Sequence, residues 1–231
     1  MNLLDYSLWH LVLALIEVLL LVSAYSFLKL SHNPTMVALP FILLSTIYDN
    51  VILFSGKYIG VGNLLENLSV QRYFLHYAFV PLLIVVAIEL AFVGGAKWAN
   101  QTVRVLSWLL AGGIAGYDLA THFIGLELKP EAFADVLRYV PTVPQIPIST
   151  IIISVFVCLV AVGIRVRTKS WSWLLAGSLI ALIANALPSA IYGTLPGSAG
   201  ECLLALGLLL TQYQFESDLS EVRILSANTN F

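Results

Sequence analysis

The chain has 231 residues, of which 59% are hydrophobic and 10% charged, with a mean hydropathy of +0.91. Soluble domains carry about 25% charged residues, so a fold this apolar needs lipid as the solvent for most of its outside. The formal net charge of -2 leaves no basic surface for nucleic acid, and the length suits one domain.

A helix needs roughly 20 apolar residues to cross a bilayer. Seven stretches satisfy this, at about 8–30, 35–55, 73–94, 102–124, 147–166, 171–192 and 199–215. The expected fold is therefore all-α, a polytopic membrane bundle of seven transmembrane helices in one domain over 1–215. The residues from 216 to 231 form a short, disordered C-terminal tail. The N-terminal residues lack the basic leader of a signal peptide, so the first span is read as retained.

Turn and interface residues separate the spans: Ser31-His32-Asn33-Pro34, Gly60 to Asn67, Gly94-Gly95, the basic stretch Arg165 to Ser172, and Leu195-Pro196-Gly197. The longest connection, about 125–146, has prolines at 141 and 144 and a third at 147 just beyond it. It also holds an amphipathic piece, Glu131 to Tyr139, expected to lie on the membrane surface. With the N-terminus outside, inner segments hold Lys29, Lys97, Arg104, Arg165, Arg167, Lys169 and Arg223, against Lys57, Arg72, Lys129 and Arg138 outside. Basic residues favour the inner side, so the chain is N-out and C-in. Localisation is integral and multi-pass, in an endomembrane of a eukaryote or the plasma membrane of a bacterium. Asn67-Leu68-Ser69 forms a glycosylation sequon on an outer loop. Cys158 and Cys202 sit in apolar stretches without metal spacing and read as small core residues.

Ionisable groups inside a span are functional candidates by default. Here they are His10, Glu17, Asp49, His76, Glu89, Asp118, His122 and Glu201. Alternating span direction puts Asp49 and Asn50, His76, Asp118 and His122, Asn185 and Tyr192, and Glu201 at one level, in the outer half. Asp118 and His122 are four residues apart and share a helix face. An aspartate there fixes the tautomer of the imidazole. Polar groups near helix ends can also simply face water, and the rings of Tyr48, Tyr73, Tyr77, Tyr117 and Tyr192 can serve ordinary packing.

Several chemistries are absent. There is no histidine cluster for a di-iron site, no HExxH, no lysine in the last span for a retinal Schiff base, no DDxxD for magnesium and a diphosphate, and no GxSxG. Proton chemistry on a lipid-soluble molecule remains, with no metal and no cofactor. Buried carboxylic acids can start a cationic cyclisation, and aromatic faces stabilise the passing cation. The expected catalytic set is Asp49, Glu201, His76, Asp118 and His122. The expected substrate-binding set is Tyr48, Asn50, Tyr73, Tyr77, Tyr117, Asn185 and Tyr192.

Seven short spans, Ser45-Thr46-Ile47-Tyr48-Asp49-Asn50 in the second, Gly200-Glu201 in the seventh and Arg72-Tyr73-Phe74-Leu75-His76 in the third together resemble the small integral-membrane terpene cyclases of meroterpenoid pathways. In the best-known branch the second-span acid is a glutamate in an Asn-Phe-Ala-Trp-Glu setting, which this chain lacks. The resemblance implies that Asp49 donates the proton, that Glu201 is its partner acid, and that the substrate is a prenylated, usually epoxidised small molecule. Two other classes stay open. A proton-coupled transporter would use Glu17 and Glu89, which lie at other depths, as a relay. A non-catalytic assembly subunit would turn its polar groups different ways.

Overall fold

The computed structural model describes residues 5–30, 34–143, 147–168 and 172–228. The turn at Ser31-His32-Asn33, Pro144, Lys169 and Trp171 fall outside these residues, as do the side chains of Lys29 and Arg223. In chain order the elements are α1 Tyr6–Leu30, α2 Ala38–Ile59, α3 Asn63–Phe79, α4 Leu82–Val93, α5 Gln101–Asp118, β1 Leu128–Phe133, β2 Val136–Pro141, α6 Ile148–Thr168, α7 Trp173–Ala186, the short α8 Ser189–Tyr192, and α9 Leu195–Asn228. The chain is thus mostly helical. The last helix continues to Asn228, over the stretch read from sequence as a tail.

Local chemistry explains the punctuation. Gly60, at φ 79°, ends α2, and only Gly60, Val61 and Gly62 separate it from α3. The expected loop from Gly60 to Asn67 is therefore mostly helix, and Asn67 of the sequon sits exposed on α3 while Ser69 is buried. Pro81 has no backbone N–H to give, so the helical run 63–93 divides into α3 and α4. Asn100 caps α5, its side chain accepting from the Val103 backbone N–H at 3.1 Å.

The surface is apolar. Leu15, Leu19 and Val22 of α1, Leu106 and Leu109 of α5, Leu159 and Val166 of α6 and Ile183 of α7 are all exposed. Among the described residues, four helical stretches are long and apolar enough to cross a membrane: Tyr6–Leu28, Ala38–Ile59, Asn63–Val93 and Ile148–Arg167. Trp173–Ala186 is a shorter apolar helix. The core runs along α4, whose residues from Leu83 to Ala91 are all buried. A helix apolar on every side belongs at the centre of a bundle. Cys158 and Cys202 are free and buried, small core residues as expected.

Two close approaches shape the end that matters. Glycines let α7 and α9 pack backbone to backbone: a Cβ on Gly177 would stand 2.7 Å from the Leu203 carbonyl oxygen, and one on Gly207 2.8 Å from that of Trp173. This packing seats the N-terminal part of α9, and with it Glu201. The second approach is at Gly56, where any Cβ would run into the carbonyl oxygen of Leu137.

Leu137 belongs to the main departure from expectation. The segment Glu131 to Tyr139, expected as an amphipathic piece on the membrane surface, belongs to two strands packed on the bundle. β1 and β2 form an antiparallel hairpin, with Glu131 opposite Arg138 and Phe133 opposite Val136. Pro130 and Pro141 oppose helix at either end, and Val136-Leu137-Arg138-Tyr139-Val140 is strand-forming. The hairpin lies on α2 and α3, where Tyr139, 5% exposed, packs with Ile52 and Leu65.

Candidate functional site

Two polar systems meet beneath the hairpin. The first joins α1, α2 and the start of α9. His10 Nδ1 is 2.7 Å from Asn50 Oδ1, Asn50 Nδ2 donates to Glu17 Oε2 at 3.0 Å, and Thr194 Oγ1 is 2.8 Å from His10 Nε2. An amide oxygen only accepts, so Nδ1 must carry the proton, and Thr194 then donates to Nε2. The series runs one way, from Thr194 through His10 and Asn50 into Glu17. His10 and Glu17 have no exposed surface at all. Among the described residues Glu17 Oε1 has no close hydrogen-bond partner, and the nearby Thr46 hydroxyl donates to the Leu43 carbonyl at 3.1 Å.

The second system joins α2 and α3. Arg72 Nε stands 3.0 Å from Asp49 Oδ1. Arg72 Nη2 donates to the Tyr73 hydroxyl at 3.3 Å, and that hydroxyl donates to the Tyr139 carbonyl of the hairpin at 3.4 Å. Glu201 lies within reach of the charges of Asp49 and Glu17, and His76 within reach of those of Asp49, Arg72 and Asp118. Glu201 and His76 are both half-buried. No hydrogen bond or ion pair reaches the Glu201 carboxyl among the described residues. Asp49 and Glu17 are thus the two acids whose charges act on Glu201. Acids that feel one another's charge are candidates for holding and handing over protons.

Asp118 and His122 sit farther along. Asp118, 5% exposed, accepts from Ser149 Oγ at 2.6 Å and lies 3.2 Å from His122 Nδ1. A π-turn over Leu119–Phe123, closed by Ile124 N–H to the Leu119 carbonyl at 3.1 Å, follows Asp118 directly. Such turns re-aim side chains at functional positions. Rings link this pair back to α3: Tyr77 and His122 centroids are 6.0 Å apart, and Tyr73 and Tyr77 6.2 Å. Beside it, a groove of about 420 Å³ opens between α5 and α6, lined by Leu109, Gly113, Tyr117, Ser149 and Ile152 among others.

The hairpin is pinned over these groups. Asp135 at its turn accepts from Lys57 Nζ at 2.7 Å, and from the Ser7 hydroxyl at 2.6 Å and backbone N–H at 3.0 Å. Burial opposes the charged form of Asp135, but the hydrogen bonds from Lys57 and Ser7 outweigh it and hold its pKa at about 2. A carboxyl depressed in this way stabilises the fold above its ordinary value, and that contribution is lost as pH falls toward 2. The mobility of a nitroxide label at the exposed position 129 should therefore stay constant from pH 7 to about 4 and rise only below that. Asp135→Asn should show the mobile spectrum throughout, and a label equally immobile in that variant would remove the latch.

Glu201 and His76 both feel the charge of Asp49, whose neighbour Asn50 belongs to the adjoining network. Tyr73 and Tyr77 bridge toward Asp118 and His122. The other expected substrate residues lie differently. The Tyr48 hydroxyl donates to the Leu68 carbonyl at 3.1 Å and ties α2 to α3. Asn185 faces Gly197 across the α7–α9 contact. Tyr117 and Tyr192 are 58% and 50% exposed. Arg72, singled out in sequence by its spacing from His76 and within the stretch Arg72 to His76, is paired with Asp49. Among the described residues, no three His, Cys, Asp or Glu side chains are grouped to hold a metal ion. No protein-family model matches the chain, and no curated protein matches it either.

Proposed function

We propose that the protein is a multi-pass membrane enzyme that protonates a lipophilic, prenylated and epoxidised small molecule and drives its cyclisation with carboxyl groups alone. In this reading α1, α2, α3 with α4, α5, α6, α7 and α9 make seven passes, N-out and C-in, and the hairpin covers the outer end. What supports the reading is that Asp49 and Glu201, acids from separate helices of an apolar bundle, are placed so that the charge of Asp49 acts on Glu201. Glu201, without a cationic partner, is the proton donor. Asp49, held by Arg72, is the anion that faces the developing cation and accepts the final proton.

The balance is simple. The Glu201 proton goes to the epoxide oxygen, the C–O bond opens, and alkene electrons close the ring. A C–H proton then leaves to Asp49, and its return to Glu201 restores the site. His76, Tyr73 and Tyr77 line the path, and the groove between α5 and α6 gives a bilayer-dissolved substrate a side entrance. A transmembrane proton relay finds less support. Glu17 is taken up by Asn50, and Glu89 is paired with Arg104 at 2.8 and 2.9 Å.

The test is turnover of prenylated epoxides by microsomes holding the protein. Wild type should give cyclic product, and Asp49→Asn at equal protein level should lose at least about 100-fold. Full turnover in that variant would remove Asp49 from the mechanism. No cyclic product from wild type with any prenylated epoxide would sink the reaction class.

A further inference from the structure

Where α4 and α6 finish, a groove of about 490 Å³ is lined by Ala96, Trp98, Gly163, Val166 and Arg167. Gly163 shapes it. With no side chain there, the Trp98 indole lies close on α6, and a Cβ would stand 3.3 Å from its Cζ2. Arg167, four residues beyond Gly163, shares its face of the helix. Its Nε donates to the Gly95 carbonyl at 3.4 Å, which ties the end of α6 to the turn after α4. Leu159, four residues before Gly163, is exposed, as is Val166. An apolar strip therefore runs from the groove along α6 into the span.

The two side chains that bring polar atoms to this groove, Trp98 and Arg167, are both donors. Beyond the bond to Gly95, neither the guanidinium nor the indole N–H has a partner among the described residues. Lys97, between the lining residues Ala96 and Trp98, is exposed and makes no ion pair there. The acids on the neighbouring helices are engaged: Glu89 with Arg104, and Glu216 with Gln212. The complement of such a site is an anionic oxygen group. A cation at the surface would suit any anion, but the apolar strip beside it selects one that carries a hydrocarbon chain. Indole rings sit at headgroup level, and basic pockets between helices take anionic headgroups.

We propose that this groove binds an anionic phospholipid, with its phosphate on Arg167 and the Trp98 indole N–H and one acyl chain along Gly163, Val166 and Leu159. The proposal rests on the membrane-spanning part of the functional reading and not on the cyclisation chemistry. In the N-out arrangement this end of α6 is cytoplasmic, where the leaflet is anionic.

The experiment titrates the full chain, in neutral detergent, with dioleoyl-phosphatidylglycerol and with dioleoyl-phosphatidylcholine, which has the same chains and a zwitterionic head. Bound lipid is counted by native mass spectrometry at about 0.15 M salt before transfer, where charges more than about 8 Å apart are largely screened. The anionic lipid should bind at least about tenfold more tightly, the factor one hydrogen bond to a charged group supplies. Arg167→Gln should abolish that preference and leave the melting temperature of the lipid-free protein unchanged, since the side chain is exposed. Arg167→Lys should keep part of it. Arg165→Gln is the control. It removes the same charge from the same last turn of α6, but two residues from Gly163 it lies on the opposite side of the helix. It should keep the full preference. Equal binding of the two lipids by wild type overturns the proposal. So does an equal loss in the Arg165 and Arg167 variants, which would mean a diffuse positive field. If inorganic phosphate at the same concentration displaces the anionic lipid, the chain plays no part and the lipid assignment falls. Epoxide turnover does not enter the readout, so failure of the cyclase reading leaves this site standing.

Discussion

Glu201→Gln should lower turnover of a prenylated epoxide by about 10²- to 10⁴-fold, the range that a positioned general acid contributes. The substitution keeps the shape of the side chain and removes the proton it can give. Glu201 makes no hydrogen bond or ion pair among the described residues, so no structural partner is lost with the charge. Its place is fixed instead by the glycine-mediated packing of α7 on α9, which the change does not touch. The variant should therefore reach wild-type levels in the membrane and bind substrate with little change. Glu201→Asp, one methylene shorter, should recover part of the rate. Single-turnover product formation is the decisive measurement, because a donor is needed in the first cycle. If Glu201→Gln forms product in its first turnover at the wild-type rate, the acid lies elsewhere, and Asp49 or Glu17 would be next to examine.

The sequence revealed the helices and hid how they are joined. Span-length apolar runs such as 8–30 and 147–166 are visible because lipid imposes both their length and their composition. Asp49, His76 and Glu201 could be picked out because an ionisable group in such a run demands a reason. Glu17 was read nearer the middle of the first span, at another depth. Asn50, from another helix, links it to His10, and no spacing rule within one helix could show that. The hairpin misled for a different reason. Over nine residues, alternation with charges at 131, 135 and 138 fits a surface helix as readily as two short strands. What decides for strands is contact with Gly56 and Leu65, both more than 60 residues away in the chain. Arg72, counted as an outer-loop charge, is buried against Asp49. Two of the four positives assigned to the outside, Arg72 and Arg138, are thus buried, and the orientation argument rests on the remaining surface charges.

Removing Arg104 should be the most destabilising single change. Glu89, 1% exposed, lies on the central helix α4, and its two oxygens accept from Arg104 Nε and Nη2 at 2.8 and 2.9 Å. The guanidinium also covers the Phe92 ring at 4.3 Å. Arg104→Leu leaves a carboxylate in the core without its cation, which costs about 3–5 kcal/mol. For a chain of this size that corresponds to a fall on the order of 10 °C in melting temperature. Replacing both partners with leucine removes the unpaired charge, so the double variant should recover most of the loss. Melting of the detergent-solubilised proteins checks both statements; a double variant as unstable as Arg104→Leu would mean that the packing of these chains, not the pair, carries the effect. The same double variant also separates the two functional readings. Glu89 lies on α4, beyond the break at Pro81 from Arg72 and His76 of α3. A cyclase should keep its turnover once the pair is gone and the fold restored. A proton relay built on Glu89 could not, because that acid would be missing.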